Sequence, residues 1–285
     1  MRKIILFILC LLSLCAVGCD ENTDMRLATE AGIDAVRAVA LTDKAVQRMA
    51  LKSSAYADSK RRVAPPTSKY AQRLKRLVGE HYQEGELTFN YKVYLAQEVN
   101  AFAMADGTIR VYSGLMDMCS DDELRFVIGH EMGHVVQKHI HKKLRMAYAS
   151  SAVRKAVAAT NSTAGEIARS ELGGFVQLLM GAQFSQLEEK EADDYALRFM
   201  QKNGYATQAA VTALKKLATL GNNHSFLSSH PAPGKRAERL QMQLEGRAVS
   251  IAEQKEGLWE KAKGVVVFVV NLLLGLLRWL ASLLG

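Results

Sequence analysis

The sequence predicts a mainly α-helical chain with one small β-sheet, an α+β fold, and three observations carry that prediction. Apolar residues recur at helical spacing along most of the 285 residues. Only residues 87–95 and 101–111 are β-rich: the first alternates with the period of a strand and the second holds a hairpin signal, Asp106-Gly107. The third is His130-Glu131-Met132-Gly133-His134, which reads as the middle of a capped helix presenting two histidines on one side.

Composition bounds the rest. A chain with 49% hydrophobic and 23% charged residues and a mean hydropathy of −0.04 suits one globular domain with appendages. It excludes a disordered tail protein, a collagen-like rod and a polytopic membrane protein. The 37 Lys and Arg against 29 Asp and Glu leave a formal charge of +8. These cations are scattered among acids, which argues for no nucleic-acid partner and fits attraction to an anionic membrane surface.

The elements follow in order. Residues 1–18 read as a lipoprotein signal peptide: Arg2 and Lys3, then an apolar run from Ile4 to Val17. Ala16-Val17-Gly18-Cys19 resembles a bacterial lipobox, so Cys19 is the expected lipidation site. Cys10 and Cys15 fall within the leader, which leaves Cys119 as a lone buried thiol rather than part of a disulfide framework. Residues 19–63 form an N-terminal helical segment and connector, its two helices divided at Thr42-Asp43 and closed by charges and the Pro65-Pro66 pair.

The main domain is expected over residues 64–245. Tyr70 to Tyr82 reads as an amphipathic helix with Leu74, Leu77 and Val78 on one face. Phe89, Tyr91, Val93 and Leu95 alternate as in a half-buried strand. Everything after the hairpin is helical, and the Ala-, Ser- and Gly-rich stretch 146–183 is a candidate mobile cover. Residues 246–285 end in an apolar segment, Val265 to Gly285, long enough as a helix of about 1.5 Å per residue to reach across a bilayer. Asn271, Gly275, Arg278 and Ser282 share one stripe of it, so it is expected to associate with a membrane.

The HExxH pattern has a chemical reason. Histidines at i and i+4 let two imidazoles reach one metal ion, here His130 and His134, and Glu131 stands beside it as a base for bound water. Ser120-Asp-Asp-Glu123 caps the helix. Gly129 and Gly133 weaken a helix by about 1 kcal/mol each, which makes sense if another backbone or a substrate approaches there. His139 and His141, read as continuing the same helix within a basic run, are expected to be solvated.

A catalytic zinc takes three protein ligands and keeps one position for water. The third comes most readily from the helix that opens at the Ser185–Glu188 capping box. Glu189 and Asp193 share a face there, one suited to ligate and the other to accept from the far nitrogen of a ligand histidine. The residues alone do not choose between Glu188, Glu189 and Glu191.

HExxH followed by Glu189-Lys-Glu-Ala-Asp193 resembles the gluzincin zinc metallopeptidases of the HtpX, BepA and CAAX-prenyl-protease family, and that resemblance selects Glu189. Asn100-Ala101-Phe102-Ala103 looks like the family's strand beside the active site, and His230-Pro231 with Arg236 like its His-Pro motif and following arginine. It implies one Zn2+ per chain, held by His130, His134 and Glu189, with Glu131, His230 and Arg236 at the chemistry and Asp193 behind it. His230 has two open roles: donor to the oxyanion, with Arg236 available for the same task, or a latch filling zinc's fourth position.

The expected activity is therefore a zinc endopeptidase of the cell envelope, acting on unfolded or misassembled polypeptides. It would be lipid-anchored on the periplasmic side, with the inner membrane favoured by Asp20 and Glu21 after Cys19. The competing reading is a membrane-tethered chaperone or adaptor with a dormant or structural zinc, against which an intact Glu131 argues.

Overall fold

The computed structural model describes residues 24–158, 184–221 and 224–247. The leader, Cys19, most of the 146–183 stretch and the apolar segment Val265 to Gly285 lie outside the described residues. Among the described residues no helix is long and apolar enough to cross a membrane. Two compact units divide the chain, Met1–Glu238 and Arg239–Gly285. The first holds the sheet, the core and the site.

Two helices come first, as the sequence indicates. Asp24 caps α1 (Met25–Ala40) through the Arg26 and Leu27 N–H groups, and Thr42 caps α2 (Asp43–Lys60) through that of Ala45. The connector after α2 is held tightly. Ala64 N–H donates to Val93 O and Leu95 N–H to Arg62 O, both at 2.8 Å, so the chain adds a bridge to the sheet before it turns. Helix α3 (Lys69–Val78) buries Leu74, Leu77 and Val78 but stops four residues short of the expected Tyr82. Gly79, at φ 51°, turns the backbone out of the helix there.

The expected strand 87–95 divides in two at Phe89. Its start, β2 (Leu87–Thr88), pairs antiparallel with β1 (Gln83–Glu84), while β3 (Asn90–Tyr94) joins a different, three-stranded sheet. In that sheet β5 (Thr108–Tyr112) lies central, parallel to β3 and antiparallel to β4 (Ala101–Ala103). The Asp106-Gly107 hairpin forms with a three-residue loop closed by Met104 N–H to Thr108 O at 2.8 Å. Gly107 is needed there: its φ is 86°, and a Cβ would fall 2.1 Å from Thr88 O.

Every residue of β5 is buried, because helices cover it. Short α4 (Ser113–Met118) leads into α5 (Asp121–Val136), whose first turn is closed by the Ser120–Glu123 capping box. Helix α5 is the structural centre, flanked by α7 (Gln186–Lys202), α8 (Gln208–Ala218) and strand β4. Helix α6 (His139–Ala158) packs along α1. Short α9 (Ser225–Ser229) and α10 (Pro233–Leu244) complete the described chain. The fold is mainly helical with small sheets, as the sequence indicated. Cys119 is a free, buried thiol whose pKa burial pushes up to about 12.

Candidate metal centre

Helix α5 carries the HExxH residues, and its glycines decide how close the next helix comes. A Cβ on Gly133 would meet Ala192 Cα at 3.0 Å, and one on Gly129 would meet the Phe199 ring at 3.0 Å and Ala196 Cα at 3.3 Å. The backbone whose approach the glycines foreshadowed is therefore that of α7. That approach sets Glu189 and Asp193, one turn apart on α7, against His130 and His134.

The four side chains His130, His134, Glu189 and His230 are all buried, with one potential ligand atom from each lying within 4.8 Å of the others. His134 Nε2 stands 3.0 Å from His130 Nε2 and 3.2 Å from Glu189 Oε1. His230 Nδ1 is 3.0 Å from Glu189 Oε1 and 3.2 Å from His130 Nε2. Behind them, His130 Nδ1 donates to Asp193 Oδ1 at 2.9 Å, which leaves Nε2 bare and pointed inward. Bare imidazole nitrogens and a carboxylate crowded this closely repel unless a cation joins them. The donor set, two imidazoles and a carboxylate, is one that suits a tetrahedral zinc.

The charges are held in the ligating state. Burial opposes ionisation of Glu189, but Arg236 and then His230 and His130 hold its carboxyl well below the usual carboxylate range. Asp193 follows the same balance, with burial overcome chiefly by Arg236. Burial pushes His134 well below its ordinary value, so it is the neutral imidazole a metal requires.

Arg236 reaches both acids. Its Nε and Nη2 donate to the two oxygens of Asp193 at 2.9 and 2.6 Å, and Nη1 pairs with Glu189 Oε2. Ala232, at φ 54°, and Pro233 turn the chain sharply after His230, starting α10 so that its first turns aim Arg236 inward. Arg236, expected to be available to an oxyanion, is thus engaged with Asp193 and Glu189. Glu131 follows His130 on α5 and is buried, its Oε1 lacking any hydrogen-bond donor among the described residues and lying 3.5 Å from His230 Nε2.

The strand residues stand nearby. Ala101, Phe102 and Ala103 form β4, an edge strand packed on α5. Asn100 precedes it: its carbonyl accepts from Tyr112 N–H, and its side chain donates to Glu98 at 3.2 Å and to Ser225 at 3.4 Å.

One expectation is overturned. His139 and His141 are buried, and they do not continue the HExxH helix. Helix α5 ends at Val136, and Lys138, at φ 57°, reverses the chain so that α6 begins at His139. His139 Nδ1 then stands 3.0 Å from His134 Nδ1, and its Nε2 is 2.8 Å from Glu191. No Gly or Pro marks this break, so periodicity ran through it. Phe184 belongs to no motif in the sequence, yet it stacks on the His134 ring with centroids 3.8 Å apart, and Lys143 Nζ lies 4.5 Å from the centre of its ring. Its place just ahead of the Ser185 cap, where an apolar residue commonly packs back on the helix, was the available signal.

Comparison with known proteins agrees with this geometry. The model of peptidase family M48 matches residues 67–244. Metalloprotease LoiP of Escherichia coli (strain K12) is 40% identical over 228 residues, covering 78% of this chain and 89% of that protein. Metalloprotease YcaL of the same organism is 38% identical over 231 residues, with 78% and 90% covered. The beta-barrel assembly-enhancing protease of E. coli is 27% identical over 184 residues, 60% of this chain and 38% of that protein.

Proposed function

The chain belongs to peptidase family M48 and is a metallopeptidase, and from that premise we propose that it is a zinc-dependent endopeptidase of the bacterial cell envelope, cutting unfolded or misassembled envelope proteins. The single observation that carries the zinc chemistry is the convergence of His130, His134 and Glu189 beside a buried Glu131.

Zinc held by these three residues would polarise the scissile carbonyl and bring the pKa of its water to about 7. Glu131 takes the proton of the attacking water and passes it to the leaving amine, a task suited to a carboxylate with a free oxygen. Asp193 fixes the ring of His130 by its 2.9 Å hydrogen bond, and Arg236 holds Asp193 and Glu189 in place. The outer edge of β4, Ala101 to Ala103, offers backbone groups for an extended peptide to add as a further strand. Recognition through backbone gives loose sequence preference, which suits unfolded substrates.

His230 serves as a latch. Its ring stands within ligating reach of the site and shields Glu131, so substrate must displace the α9–α10 turn before a peptide can enter. On this reading His230→Ala cleaves casein faster than the parent, while a hundredfold loss with zinc retained would assign it the oxyanion instead.

For location we propose a tether to the membrane, motivated by two sequence features. Lipid on Cys19 and the apolar segment 265–285 would tether the enzyme at the periplasmic face, and Asp20-Glu21 favours the inner membrane. Fractionation on a density gradient tests this, with an outer-membrane position unchanged by Asp20→Ser as the contrary result. The activity itself is tested by casein cleavage that a chelator abolishes and zinc restores. Cleavage untouched by the chelator would refute it.

A further inference from the structure

We propose that His139, backed by Glu191, is a positioning residue that fixes the tautomer and orientation of His134 toward the metal. The inference rests on the metallopeptidase reading and adds residues to which that reading gives no part. Both ligand histidines need their second nitrogen occupied. For His130 the acceptor is Asp193, at 2.9 Å from Nδ1, whereas the group that meets His134 Nδ1 is His139 Nδ1, at 3.0 Å.

The hydrogen bonds can be assigned by elimination. A carboxylate oxygen accepts, so across the 2.8 Å contact with Glu191 it is His139 Nε2–H that donates. Its Nδ1 is then bare and must accept. The atom facing it at 3.0 Å is His134 Nδ1, which therefore donates. His134 Nε2 is left bare, pointing at Glu189 Oε1 and His130 Nε2, as a ligand nitrogen must be. Carboxylate orientation of His134 thus passes through a second imidazole. The sharp turn at Lys138 makes this possible, since a continuous helix would carry His139 away from His134. His139 is fully buried between them, and Phe184 stacks on the ring of His134. The other charged groups near His139 are Lys142, which lies 3.9 Å from Glu191, and Glu188.

The test compares His139→Phe, His139→Asn and Glu191→Gln in the full-length chain. Phe keeps the ring but not the acceptor, whereas Asn places an amide oxygen close to the position of Nδ1. Zinc affinity is read by competition with a chromophoric chelator, and folding by melting of the metal-free proteins. The tautomer of His134 is read from imidazole nitrogen shifts in the metal-free state. His139→Phe is expected to bind zinc about 10- to 100-fold more weakly, with His134 shifted toward the Nε2–H tautomer, and His139→Asn to recover most of the affinity. Glu191 is partly exposed, so Glu191→Gln tests the same link should the buried variants fail to fold, with a loss of about threefold expected. Affinity within about twofold of the parent in every folded variant, or Asn no better than Phe, would overturn the proposal. A parent chain that takes up no zinc would instead overturn the metallopeptidase reading and this inference with it.

Discussion

Asp58 offers a stability test that is independent of any metal. It lies in the last turn of α2, and its carboxylate receives Arg110 Nε at 2.8 Å and Nη2 at 3.0 Å, Lys92 Nζ at 2.7 Å and Tyr94 Oη at 2.7 Å. Arg110 lies on the central strand and is only 2% exposed. Asp58→Ala therefore leaves a buried guanidinium without its counter-charge, a change that costs about 3–5 kcal/mol at such sites. Asp58 itself is 18% exposed, which places the expectation near the lower end, about 3 kcal/mol. For a domain of this size that is roughly 6–12 °C in Tm. The pH dependence has a definite sign. Burial opposes the charge on Asp58, but its donors, Arg110 foremost, hold the folded carboxyl far below its unfolded value of 3.8. A depressed carboxyl contributes fully above the unfolded value and loses that contribution as pH falls toward the folded one. Urea unfolding of parent and variant should thus show a constant gap from about pH 8 to 5 that closes progressively below about pH 4.5. A gap under about 1 kcal/mol at pH 7, or one unchanged at pH 3.5, would refute the reasoning.

Two further outcomes follow from the site. Glu189→Gln should lose zinc by metal analysis while Glu188→Gln keeps it, because Glu188 is spent on the Ser185 cap at 2.9 Å; loss from Glu188→Gln alone would put the wrong carboxylate at the metal. Gly133→Leu should destabilise by about 1–3 kcal/mol in thermal melts and weaken zinc binding, since its Cβ would strike the Ala192 backbone and push α7 away; a variant with unchanged melting and zinc affinity would contradict the packing account.

Much of this arrangement could be read along the chain because it is local. Thr42, Ser120 and Ser185 announce their helices by side-chain chemistry within three residues. Gly129 and Gly133 foreshadow a close neighbour at i and i+4 without naming it. What the sequence did not show is what depends on distant partners. The parallel pairing of β3 with β5 joins a strand ahead of the hairpin to the hairpin's second strand, and no periodicity encodes it. The end of α5 is set by the left-handed conformation of Lys138, a residue type that carries no turn signal, so nothing in the basic run around His139 and His141 announces that they are buried. Arg236 was legible as a motif, but its engagement with Asp193 and Glu189 depends on where α10 starts.

The central claim is that Glu131 acts as the base in hydrolysis at a metal held by its neighbours, and Glu131→Gln tests it most directly. The amide keeps shape and burial but cannot accept the proton of the attacking water. Casein cleavage should fall by at least about 10²-fold while zinc content, measured on the same samples, stays at one per chain. Cleavage at the parent rate by a zinc-loaded Glu131→Gln protein would contradict the account.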